Sequence, residues 1–293
     1  MSERAPRVRI DGSTRTVGVM GWPVAHSLSP EIHNAAFAAL DLPWVYVPLP
    51  VPPGRVGQAL EGLEALGFSG ANVTMPHKTE AAERIGRLSE DARRLRAVNT
   101  IVVGAAGLEG HNTDAPGFDR FLRRDAGFDP ADRSALLFGA GGAARACALA
   151  LAQGGLARLL VAVRDPSRVD LGETLEGART EVRIVPLERA GEEPVDLVVN
   201  ATPLGALGER LPLPPLRPEV VVVDLLYRPA TTPLLQSARA AGATAYGGLG
   251  LLLAQAALSF ELWTGRVAPM DVMSAAALAA LAESPGGGPS AEP

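Results

Sequence analysis

The chain of 293 residues is nearly without lysine: among its 27 lysines and arginines, only Lys78 is a lysine. It also has a single cysteine, Cys147. That excludes an internal disulfide framework and suits a reducing, cytoplasmic setting. Cys147 sits in an alanine-rich helical pattern, which predicts a small buried thiol rather than a nucleophile. Histidine is scarce. His26, His33, His77 and His111 form no metal-ligand spacing, so no metal site is predicted, and His33 and His111 read as structural residues with satisfied ring nitrogens. There is no excess of positive charge. A net charge of −5 gives no footprint for nucleic acid or an anionic membrane. Long apolar runs are missing too: the stretch 220–226 is far too short to cross a bilayer. The first nine residues are charged with no apolar core, which does not read as a signal peptide.

What is present is an ordinary globular composition, 47% hydrophobic and 20% charged, on a chain long enough for two modest domains. Against an arginine-dominated background, the lone lysine is a first hint of proton chemistry. An ammonium can give up its proton in a suitable setting, and a guanidinium cannot.

Short β-branched runs alternate with alanine- and leucine-rich stretches of helical spacing. Strands are predicted at 16–20, 44–47, 72–75, 99–103, 136–138, 159–163, 195–199 and 220–225. Helices are predicted at 30–40, 55–66, 115–124, 143–153, 232–241, 249–264 and 269–282. This alternation predicts an α/β protein with parallel sheets covered by helices. A fresh strand–turn–helix begins at Ser134, so a boundary is placed near Thr113. The expected organisation is a substrate domain over 1–112, a Rossmann-type dinucleotide domain over 113–249, and helices over 250–283 returning to the first domain. The Gly-, Pro- and Ser-rich residues 284–293 read as a disordered tail.

The predicted strand 134–138 runs into Gly139-Ala140-Gly141-Gly142-Ala143-Ala144, and a helix follows. This is the G-x-G-x-x-A turn in its proper context. The glycines allow a tight turn and close approach to a pyrophosphate, and the helix start supplies free N–H groups. The next strand ends at Arg164-Asp165-Pro166-Ser167-Arg168. Arginine at this place favours the 2′-phosphate of NADP, and Arg164 and Arg168 can clamp it from two sides. Asp165 could instead serve the ribose of NAD.

Further motifs follow in order: Gly21-Trp22-Pro23-Val24-Ala25-His26-Ser27-Leu28-Ser29-Pro30 with Ile32-His33-Asn34; Gly70-Ala71-Asn72-Val73-Thr74-Met75-Pro76-His77-Lys78; Ala97-Val98-Asn99-Thr100; Gly110-His111-Asn112-Thr113-Asp114; Asn200-Ala201-Thr202-Pro203; Asp224-Leu225-Leu226-Tyr227-Arg228-Pro229; and Gly248-Leu249-Gly250 leading to Ala254-Gln255-Ala256. Serines at 27 and 29 in an extended turn point the same way, so both hydroxyls can grip one carboxylate. Ser29 also fits a helix N-cap. Asn99 in a strand and Gln255 in an apolar helix are poor choices for pure packing, because a buried amide needs partners. The three tryptophans and the Trp44–Tyr46 pair read as packing residues.

Taken together and in this order, the motifs resemble those of the shikimate dehydrogenase family over nearly the whole chain. The resemblance implies NADPH-dependent reduction of 3-dehydroshikimate to shikimate, in a site assembled from both domains. It implies that Lys78 moves the proton, with Asp114 as partner. It further implies that Ser27 and Ser29 hold the substrate carboxylate, and that Asn72, Thr74, Asn99, Asp114, Tyr227 and Gln255 contact the substrate. Gly139, Ala140, Gly141, Gly142, Ala143, Arg164, Arg168, Thr202, Leu225 and Gly248 would line the cofactor. The partner is thus a small molecule, with no nucleic acid or membrane, and a homodimer is compatible with the family. The sequence departs from the pattern near the cofactor: Gly247 stands where Asp or Asn is usual, Leu251 for Met, Val163 for Asn, and Asp165 for Ser or Thr. Alternatives within the family are quinate and aminoshikimate dehydrogenases. Quinate's extra hydroxyl would be crowded by the serine pair. A folate dehydrogenase of similar layout is disfavoured by the Ser-x-Ser turn and the Tyr227/Gln255 pair. A non-catalytic NADPH sensor would be expected to lack Lys78 or Asp114.

Overall fold

A computed structural model of the protein describes residues 10–283. The expectations for the first nine residues and for the tail 284–293 lie outside the described residues. The chain divides into two compact units. One runs to Thr113 and resumes at Ala256, and the other is Asp114–Gln255.

In the first unit the order is β1 (Arg15–Gly21), α1 (Ser29–Ala39), β2 (Trp44–Pro50), α2 (Val56–Ala65), β3 (Gly70–Val73), α3 (Lys78–Arg84), β4 (Arg87–Leu88), α4 (Glu90–Leu95), β5 (Thr100–Gly104) and β6 (Gly107–His111). These form a six-stranded sheet of order β2-β1-β3-β5-β6-β4. It departs from the all-parallel expectation, because β5 runs antiparallel to both β3 and β6. Strands β5 and β6 form a hairpin joined by residues 105–106, whereas the chain between β3 and β5 carries α3, β4 and α4. The core packs Met20, Val56, Leu60, Ala71, Val73, Ile85, Val98 and Ile101 between α2, α3 and the sheet.

The second unit holds α5 (Asp114–Arg124), β7 (Ser134–Phe138), α6 (Gly142–Gln153), β8 (Arg158–Val163), β9 (Glu181–Pro186), β10 (Leu197–Asn200), β11 (Val221–Asp224), α7 (Pro233–Ala240) and β12 (Thr244–Tyr246). Its sheet is wholly parallel, in the order β12-β11-β10-β7-β8-β9. Read from the first strand, that is the 3-2-1-4-5-6 arrangement of a Rossmann domain, whose ligands bind outside the carboxyl ends of the strands. The central strands are apolar apart from an end residue, Ser134, Arg158 or Asn200, because both faces are buried. Helix α8 (Leu249–Thr264) starts in this unit and ends in the first, which α9 (Met270–Glu283) completes.

Several elements carry no strong pattern in the sequence. Helices α3 and α4 are short and polar. Helix α4 is held by its ends: the Ser89 side chain accepts the Ala92 N–H, and Arg96 closes it at φ +49°. Strand β6 contains two glycines, and β9 alternates exposed charge with half-buried apolar residues. The sequence expectation for α1 is off by one: Ser29 is its first residue, not its cap, and Leu28 holds the cap position without a side-chain bond.

Candidate active site

The pairing of the first sheet brings four loops to one end. The carboxyl ends of β1, β3 and β6 and the amino end of β5 lie together. Ser27 and Ser29 follow β1, Thr74 and Lys78 follow β3, Asn99 precedes β5, and Asn112 and Thr113 follow β6. Backbone bonds tie these segments to one another. Thr74 N–H donates to Met20 O at 2.9 Å, Val73 N–H to Asn99 O at 2.8 Å, and Asn99 N–H to His111 O at 3.0 Å. The Ser27 hydroxyl oxygen accepts the Ser29 N–H at 3.2 Å, so Ser27 rather than Ser29 satisfies a helix-start donor.

Lys78 is the first residue of α3, a helix absent from the elements expected from the sequence. It is half-buried, and its carbonyl accepts the Val98 N–H at 2.9 Å. The preceding His77 is buried and donates from Nε2 to Val51 O at 2.6 Å. The lysine backbone is therefore anchored to the end of β2 and to the segment carrying Asn99.

Beneath these loops lies a buried network of neutral groups. Tyr46 O–H donates to Asn72 Oδ1 at 2.7 Å. Asn72 Nδ2 lies within hydrogen-bond reach of Asn99 O (3.0 Å), Thr100 Oγ1 (3.1 Å) and Ser259 Oγ (3.0 Å). Asn99 Oδ1 accepts from Thr113 N–H at 2.8 Å and from the Thr100 and Thr113 hydroxyls. Burial pushes the Tyr46 phenol far above its ordinary range, so it stays a donor. Asn72, a sequence-predicted substrate contact, thus has both amide atoms engaged inside the unit. His33 differs from its expectation. It is fully buried, stacks on Tyr46 with centroids 4.5 Å apart, and its two ring nitrogens have no partner. Burial lowers its pKa to about 3. Trp44 and Trp263 pack as expected, whereas Trp22 is 47% exposed. An apolar hollow of about 260 Å³ between Met20, Val51, Leu63 and Phe68 offers no converging polar groups.

In the second unit, Gly139 follows β7 at φ +103°, a conformation open to glycine, and donates its N–H to Ala162 O. A Cβ there would lie 2.9 Å from the Thr202 methyl. Gly141 caps α6, and a Cβ on Gly141 or Gly142 would meet nothing within 4 Å. The turn therefore leaves room beside the free N–H groups of α6, as a pyrophosphate requires. Arg164 and Arg168 are exposed after β8, and among the described residues neither guanidinium has an ion-pair or hydrogen-bond partner. Asp165, also exposed, is engaged by its own turn instead: its Oδ1 accepts from Ser167 N–H and O–H and caps the turn Pro166–Arg168. The donor set fits a 2′-phosphorylated dinucleotide. Gly248 passes so near Leu225 that a Cβ would fall 1.9 Å from its carbonyl oxygen. Gln255 donates to Leu252 O and lies against Gly117 of α5, the helix that Asp114 begins. Tyr227 is half-buried three residues beyond β11. Cys147 is buried, and its thiol pKa is pushed up by burial and the nearby Asp114 charge, consistent with an inert packing role.

Residues 19–101 match the family model for the shikimate dehydrogenase substrate binding domain, and residues 248–278 the model for the shikimate 5'-dehydrogenase C-terminal domain. The chain is 46% identical to a shikimate dehydrogenase (NADP(+)) from Moorella thermoacetica, covering 96% of this chain and 98% of that one. It is 44% identical to the one from Desulforamulus reducens, covering 90% and 95%. The chain belongs to the shikimate dehydrogenase family. Among solved structures, the shikimate 5-dehydrogenase of Thermus thermophilus, in complex with NADP(H) and shikimate, superimposes with a TM-score of 0.81 at 39% identity, over 91% of this chain and 100% of that one. In this member of the shikimate dehydrogenase family, most of the motifs quoted from the sequence fall at strand ends, while Ile32-His33-Asn34 lies within α1 and Ala254-Gln255-Ala256 within α8. Sequence reasoning passes over Tyr46, Thr113, Ser259, Asn200, Asp224 and Thr232 as functional candidates. The available signal is a polar residue closing or interrupting an apolar run, as in Val-Val-Asn200 and Val-Val-Asp224.

Proposed function

We propose that this protein is an NADP-dependent shikimate dehydrogenase that reversibly reduces 3-dehydroshikimate to shikimate. The observation that carries the reading is the identity, above 40% over nearly the whole chain, to proteins of that activity. The site residues agree with it chemically. NADPH, when bound, supplies a hydride to the substrate carbonyl. The oxygen then needs a proton, and Lys78 is the amine available to deliver it, with Asp114 as its acid–base partner. Ser27 and Ser29 present hydroxyls to the substrate carboxylate next to the start of α1. Thr74, Asn99, Tyr227 and Gln255 orient the ring hydroxyls, and Asn72 holds the floor beneath them. Gly139, Ala140, Gly141, Gly142 and Ala143 cradle the pyrophosphate, Arg164 and Arg168 take the 2′-phosphate, and Thr202, Leu225 and Gly248 line the nicotinamide side. The reading includes a cytoplasmic enzyme without metal, and a homodimer is compatible with it. No helix of the described residues is long and apolar enough to cross a membrane.

Absorbance of the reduced nicotinamide, followed with shikimate, quinate and aminoshikimate against NADP and NAD, tests the assignment. Turnover is expected with shikimate and NADP above all other pairs, and faster turnover of quinate would replace the reading. The Lys78→Ala variant is expected to bind both ligands yet lose about 10²–10⁴-fold in kcat, the usual contribution of a positioned acid–base group.

A further inference from the structure

We propose that Asp224 is a positioning residue for the cofactor, acting through a buried chain of hydrogen bonds that fixes three loops at the carboxyl end of the second sheet. The inference rests on the NADP-binding reading above. Phe138, Asn200 and Asp224 are the last residues of β7, β10 and β11 and stand in one register row across those parallel strands. The next residue in each strand begins a loop: the glycine turn, the Thr202 loop and the Leu225–Tyr227 loop.

Asp224 is fully buried, and its carboxylate collects three donors. Oδ1 accepts from Asn200 Nδ2 at 3.0 Å and from Leu226 N–H at 3.1 Å, and Oδ2 accepts from Thr232 Oγ1 at 2.6 Å. Thr232 in turn caps α7 by accepting the Leu235 N–H. On the other side, Asn200 Nδ2 also donates to Leu204 O at 2.9 Å, while its Oδ1 accepts from Thr202 N–H and O–H at 3.0 and 2.7 Å. The Thr202 methyl then fills the space where a Cβ on Gly139 would lie. The chain of contacts thus runs from the start of α7 through Asp224, Asn200 and Thr202 to the first glycine of the dinucleotide turn.

An ordinary packing role would be met more cheaply by a neutral side chain, because burial penalises the charge and pushes this carboxyl upward, opposed by its three hydrogen bonds. A carboxylate offers what an amide cannot. Both of its oxygens accept, so it can hold Asn200 and Leu226 on Oδ1 and Thr232 on Oδ2 without a donor of its own to satisfy. The segment Leu225–Tyr227 and the Thr202 loop are then locked to a common point before any ligand arrives.

The test is NADP affinity, measured by fluorescence titration at a temperature well below unfolding, on Asp224→Asn, Thr232→Val and Thr232→Ser. Asp224→Asn keeps the volume but turns an acceptor toward Thr232 into a donor. It is expected to raise the Kd for NADP about tenfold, as loss of one charge-assisted hydrogen bond in a positioned site does, with kcat at saturating ligands changed less than about threefold. Thr232→Val should move Kd in the same direction, and Thr232→Ser should restore the wild-type value. A merely structural role would lower the melting temperature and leave Kd unchanged. A folded Asp224→Asn with wild-type Kd overturns the proposal. If that variant does not fold, equal Kd values for Thr232→Val and Thr232→Ser overturn it. A wild-type protein that binds no NADP would instead sink the functional reading itself.

Discussion

In the first unit a buried network closes around Asn72 from amides and hydroxyls alone. In the second, a network of similar composition closes around the Asp224 carboxylate. Both stand where strands end and loops bearing site residues begin. They differ in how they answer to pH. The neutral network has no proton to gain or lose in the range where the protein folds, since its phenol is held far from ionisation. The charged one does. Asp224 keeps its proton to higher pH in the fold than in the unfolded chain, so its ionisation on the way to neutrality removes stability. That loss is accepted where two loops must share one rigid point. In the first unit, satisfied neutral groups suffice.

The most damaging way to break the comparison is Asn72→Leu. It takes from the Tyr46 hydroxyl its acceptor, at about 1–3 kcal/mol, and from Asn99 O, Thr100 Oγ1 and Ser259 Oγ the amide donor they share, at about 1 kcal/mol for each, although Asn99 O keeps the Val73 N–H. Urea unfolding should show a loss of roughly 2–6 kcal/mol, the same at pH 6 and pH 8. A loss that varies steeply over that interval would mean the network is not neutral.

A somewhat smaller effect sharpens the contrast from the other side. His33 is a buried titratable group in the neutral unit, and its sign is opposite to that of Asp224. Its folded pKa of about 3 lies below the ordinary 6.5. The unfolded chain therefore binds the extra proton between those values, and stability falls as pH drops from 6.5 toward 3. At pH 4 this amounts to about 3 kcal/mol relative to neutral pH. His33→Phe keeps the stack on Tyr46 and removes two unpaired nitrogens. It should match or exceed the wild type at pH 7 and show a visibly flatter acid limb. An unchanged limb in thermal unfolding from pH 7 to 4 would refute the assignment.

The mildest change belongs at the solvent edge of the second unit. Arg164→Gln or Arg168→Gln should each weaken NADP by about tenfold, one charge-assisted contact, and leave NAD within about twofold. Equal weakening of both cofactors would place the arginines elsewhere than at the 2′-phosphate.

The parts of the molecule visible in the sequence are those that burial or backbone geometry dictates. The apolar runs of β7, β8, β10 and β11 announce a parallel sheet, and Gly139 to Ala144 announce the turn above it. Lys78 stands out because no other lysine competes with it. What stays hidden depends on partners far away in sequence. Ser259 meets Asn72 across 187 positions, and no local pattern shows that Asn72 faces inward. Strand β6 escapes notice because two glycines erase the strand signature, and α3 because seven mostly polar residues show no apolar stripe. His33 reads as satisfied because histidine usually is. Of its aromatic neighbours only Phe37 shares its helix; Tyr46 stands on β2 and Phe260 and Trp263 on α8, so the local sequence does not reveal an all-aromatic setting.

The solitary lysine has one more consequence. A protease that cuts only after lysine finds a single bond in this chain, Lys78–Thr79, and that bond lies in the first turn of α3. Helical backbone must open before it can be cleaved. The molecule therefore carries a built-in gauge of how firmly the ground beneath its reactive amine is held, legible as one band becoming two.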